Sequence, residues 1–108
     1  MFGRGAVVLV TLNSPREKFW GVVMELNPAG LAVRGIDLNS FDDFARLVRA
    51  GEPAAASTVF FPMHRVERVE LDVSSGGIPS LGERFAAKSG RELAAVLDVN
   101  ALAQEGGR

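Results

Sequence analysis

Histidine is the side chain that exchanges a proton most readily near neutral pH, and this chain has one, His64. Catalysis through it needs an activated nucleophile or a paired carboxylate alongside. The nearest acids, Glu67 and Glu70, lie on an alternation that points to solvent, so no enzyme and no cofactor are expected. One histidine and no cysteine leave neither a multi-histidine nor a thiolate metal site within the chain, and no disulfide. Asp42-Asp43 stands at a helix start, where acids favour the helix dipole, rather than in a metal pattern. Gly76-Gly77 lacks the strand–loop–helix context and the lysine of a phosphate cradle. Arg65 and Arg68 flank His64, and Arg34 belongs to a neighbouring strand. They form either a rim for phosphate or a solvated face matched by Glu67 and Glu70. Trp20 suits base stacking, the core or a subunit contact.

Composition narrows the classes. The chain has 108 residues, 47% hydrophobic and 23% charged, which suits one soluble globular domain with a modest core. Lys+Arg 12 against Asp+Glu 13 excludes a strongly basic nucleic-acid binder, although a local patch survives that balance. No apolar run approaches the ~20 residues that span a bilayer, so no membrane partner is expected and the location expected is cytoplasmic.

The elements that position these residues are mostly strands. Ala6–Leu12 is a β-branched apolar run closed by Asn13-Ser14-Pro15, and its continuity predicts cover on both faces. Lys18–Leu26 is a second strand, bent at Gly21 and turned by Asn27-Pro28-Ala29-Gly30 into a third over Leu31–Ile36. The period then becomes helical. Phe41, Phe44, Ala45 and Val48 give a helix over Phe41–Ala50, capped by Asn39 or Ser40 and stopped by Gly51. Thr58–Met63 is a fourth strand, which Pro62 assigns to an edge. After a tight turn at His64, Arg68–Val73 alternates as a fifth, with Val69, Leu71 and Val73 on one face.

Ser74–Gly77 is a hinge. Beyond it, Ser80 with Glu83 and Ser89 with Glu92 are two capping-box signatures, predicting two short helices or one kinked helix. These are too short to fold unsupported, so residues 1–75 form the domain and 76–108 a dependent extension. Gln104–Arg108 is expected to fray.

Gly21, Val23, Leu26 and Asn27, then Leu31 and Val33, and finally Met63-His64-Arg65-Val66 resemble the Sm-like family, closest to its bacterial Hfq branch. The resemblance covers roughly Ala6–Val73, interrupted by a helical insertion over Asn39–Ser57. It implies a mainly β fold: a small, strongly bent, five-stranded SH3-like barrel with that helix between strands three and four. It also implies a cyclic homo-oligomer of about five to seven subunits, joined fourth strand to fifth. Phe60, Phe61, Met63, Val69 and Leu71 would make the seam. Single-stranded RNA would meet Asn27, His64, Arg65 and Arg68 at the pore. The chain departs from the family at Pro28 and Ala29, where a glutamine and a stacking side chain are usual, and at Met63, where Hfq has lysine. A ring that serves as a scaffold or holds a protein partner through the added helices is the alternative.

Overall fold

The computed structural model describes residues 1–97, and the expectation for Gln104–Arg108 lies outside them. Five strands form one antiparallel sheet: β1 (Val7–Leu12), β2 (Glu17–Asn27), β3 (Gly30–Asp37), β4 (Ser57–Pro62) and β5 (Val66–Leu71). Their order is β4-β3-β2-β1-β5, so β4 and β5 are its two borders and the sheet is not closed. Three helices accompany it: α1 (Phe41–Arg49), α2 (Leu81–Ser89) and α3 (Leu93–Leu97).

The continuous apolarity of β1 has the physical cause expected of it, because each face of the sheet carries its own core. Val8, Val10 and Leu12 turn to one side and meet Val23, Leu31 and Val33. Val59 and Phe61 of β4 and Val66, Val69 and Leu71 of β5 pack against that same group. Side chains from opposite borders reach one cluster only if the sheet curls around it. On the other side, Val7 and Leu9 back onto Trp20, Val22 and Ile36, which α1, α2 and α3 cover. Phe85 of α2 is fully buried there, its ring 5.7 Å from Trp20 and 5.6 Å from Phe44. Trp20 is therefore a core residue.

The curl depends on two glycines that face each other across β2 and β3. A Cβ on Gly35 would stand 2.0 Å from the Trp20 carbonyl oxygen, and one on Gly21 would stand 2.3 Å from that of Arg34. Backbones that approach this closely exclude every larger residue. A separate irregularity, absent from the sequence reading, lies three residues on at Met24, which is extra between Val23 and Glu25. The glycine supplies the close approach and the bulge supplies the irregularity.

The caps show where local signals compete. Ser80 and Glu83 form the reciprocal box at the start of α2. Gly51 takes the left-handed conformation just after α1, at φ 71°. Ser40 stands at the N-cap of α1, but its side chain makes no capping hydrogen bond. A 3-10 turn, Leu38–Ser40, precedes the helix, and Asp37 caps that turn by accepting the Asn39 amide at 2.8 Å. Ser89 does not open a second box either. It sits in the last turn of α2, accepting the Arg91 amide, while Gly90 ends the helix at φ 79°.

Candidate functional site

The residues singled out around His64 gather on a 3-10 turn, Met63–Arg65, that joins β4 to β5. The turn bridges two others. Met63 N–H donates to Ala29 in the β2–β3 turn, and Asn13 N–H in the β1–β2 turn donates to the Arg65 carbonyl, each at 2.9 Å. Three connections thus converge on one end of the curled sheet, with His64 exposed among them.

Arg65 is built into this end rather than presented from it. Its guanidinium donates to the carbonyls of Asn13 and Pro15 and to the Glu17 carboxylate, and the side chain is 18% exposed. A guanidinium with three acceptors on one turn clamps that turn. Asn27 is likewise a shaping residue. Its Oδ1 accepts the amides of Ala29 and Gly30 at 2.9 and 3.3 Å, an Asx turn, and its Nδ2 donates to Glu25. Two further cations have acids beside them: Arg16 lies 3.6 Å from Glu67, and Arg68 2.9 Å from Glu70. The hydrogen bond from Arg68 is the main cause that holds the Glu70 carboxyl below its ordinary range, and Glu70 in turn raises Arg68. Charge at this end is matched, not uniformly basic. Arg34 is not part of it. Its guanidinium donates to the Leu97 carbonyl at 3.1 Å and to Thr58 Oγ1 at 3.2 Å.

The five residues expected at a subunit seam divide by side. Phe61, Val69 and Leu71 turn inward, Phe61 against Phe19 with ring centroids 5.4 Å apart. Phe60 and Met63 face solvent, at 52% and 38% exposure. Gly30 is the position that accommodates Phe60, since a Cβ there would stand 2.6 Å from the ring. Among the described residues, neither border has a strand partner on its outer side.

Asp72 has no expected role in the sequence, yet three donors converge on it. It accepts from Trp20 Nε1 at 3.1 Å and from the Leu81 and Gly82 amides, each at 2.8 Å. The available signal was an acid between the last strand and a capping box. The alternation that placed it on a polar face concealed it, because that face is covered by α2 at this point.

Among the described residues, no cluster of three or more His, Asp or Glu side chains could hold a metal ion, no buried side-chain polar atom lacks a partner, and no helix is long and apolar enough to cross a membrane. No protein-family model, no curated protein and no solved structure matches this chain.

Proposed function

We propose that the protein is a self-assembling scaffold: a small, bent, SH3-like barrel of the Sm-like type whose β4 border joins the β5 border of the next copy to form a ring. The observation that carries this reading is the pair of borders without a strand partner among the described residues, on a sheet whose two faces are both covered. A free strand edge offers a row of unsatisfied donors and acceptors that another chain can pair. Phe60 and Met63 add exposed apolar surface at the β4 side. The test is sedimentation velocity at micromolar concentration, with Phe60→Lys as the perturbation. The wild type sediments as an oligomer and Phe60→Lys shifts toward monomer with its fold intact; a wild-type monomer overturns the reading.

Binding of single-stranded RNA at the three-turn end is the second reading. It is favoured by the exposed His64, which a ring would repeat around a pore. It ranks second because Arg65 is engaged internally and Arg16 and Arg68 are matched by carboxylates. Labelled U-rich and A-rich oligonucleotides at low salt test it. Salt-sensitive binding weakened by His64→Ala supports it, and no binding removes it.

A further inference from the structure

A groove of about 430 Å³ lies between α1 and the start of β4. Its floor is apolar, from Phe19, Ile36, Phe44 and Val59, and the charged side chains lining it are two carboxylates, Asp37 and Asp43. We infer that this groove binds an arginine side chain of a peptide. It goes beyond the ring and does not depend on it.

Four observations carry the inference. The volume suits a small group, within the range of ~300–1,000 Å³ typical of ligand pockets. An apolar floor under an acidic rim matches a cation on an aliphatic stem, since the stem covers the floor while the head stays at the rim. Two carboxylates and two aromatic rings favour a guanidinium over an ammonium, because the planar fork can serve two acceptors and lie against a ring. The groove opens to solvent, so the side chain that fills it can belong to a longer chain.

The internal competitors are weak. Asp43 meets Arg46 at 3.3 Å, but both side chains are largely exposed. Asp37 spends Oδ1 on the Asn39 amide and retains its second oxygen. Arg16 and Lys18 line an adjoining depression that shares Asp37, not the groove itself.

The test uses a capped peptide, Val-Thr-Arg-Thr-Val, titrated into the full chain and followed by amide chemical shifts. Its companions are the same peptide with citrulline for arginine, which keeps the shape and removes the charge, and free agmatine. Shifts concentrate at Asp37–Ser40 and Ser57, and the citrulline peptide binds about tenfold more weakly, as expected for losing two partly exposed ion pairs. Asp37→Asn combined with Asp43→Asn weakens the arginine peptide equally, while the asparagine at 37 still caps its turn. Leu47→Arg supplies a cation from the protein itself and blocks binding independently. Equal affinity for the citrulline peptide, shifts spread over the whole surface, or no shifts overturn the inference. Agmatine binding as tightly as the peptide overturns the peptide as its source. Repeating the titration on Phe60→Lys separates the two proposals, since the groove is retained whether or not copies assemble.

Discussion

Replacing Asp72 with alanine should be the most damaging single change at any polar position outside the strands. The carboxylate joins three elements at once: the end of β5, the buried Trp20 of β2 and the first turn of α2. Trp20 is fully buried, so Asp72→Ala leaves its indole N–H without an acceptor, a loss of about 1–3 kcal/mol. The same change removes an anion from two α2 amides, for which helix-capping substitutions suggest about 1 kcal/mol more. The sum, about 3 kcal/mol, is a large share of the ~5–15 kcal/mol that holds a domain together. Asp72→Asn retains an oxygen acceptor and should cost less than half as much. Urea unfolding followed by the fluorescence of Trp20, the chain's only tryptophan, measures both variants without a label. Because Trp20→Phe removes that probe, a double-mutant cycle with Asp72→Ala is read by circular dichroism. It should show about 1 kcal/mol of coupling. If Asp72→Ala lies within 0.5 kcal/mol of wild type, typical of a plain surface site, then α2 is not held to the sheet through this carboxylate.

Two further outcomes follow from packing and charge. Gly35→Ala pushes a methyl group into the Trp20 carbonyl, and the β2–β3 pairing must separate to admit it; a loss of about 2–4 kcal/mol in the same urea assay is expected, whereas Gly3→Ala, which meets nothing, should change little. Asp42 is held below its ordinary carboxyl range chiefly by its hydrogen bond from Lys88, and Glu70 by that from Arg68. A lowered folded value means stability that is present above the ordinary carboxylate range and is lost as pH falls through it. Wild type should therefore lose stability below about pH 4 more steeply than Asp42→Asn combined with Glu70→Gln.

The local grammar of this chain was legible because its causes are local. The five strands, the helix from Phe41, the Ser80–Glu83 box, the Gly51 stop and the Asn27 turn each depend on neighbours a few residues away. Where two local signals competed, the reading slipped. Asp37 caps a 3-10 turn that precedes α1, leaving Ser40 at the N-cap of α1 without a side-chain hydrogen bond, and Ser89 was absorbed into the last turn of α2. The candidate site was legible only as a set of residue types. That His64, Arg65 and Arg68 cluster at one turn follows from their closeness in sequence. That Arg65 is consumed by Asn13, Pro15 and Glu17, about fifty residues earlier, does not. Asp72 and the groove beside α1 were invisible for the same reason, since both exist only where distant segments meet.

By itself, the sequence determined the elements, their periodicities and the presence of two covered sheet faces, because hydrophobic spacing and turn chemistry act over one or two turns of chain. The tertiary structure decided which charges are free, which are spent and where the sheet is left open. Those depend on which segments the curl brings together, and no spacing along the chain records that.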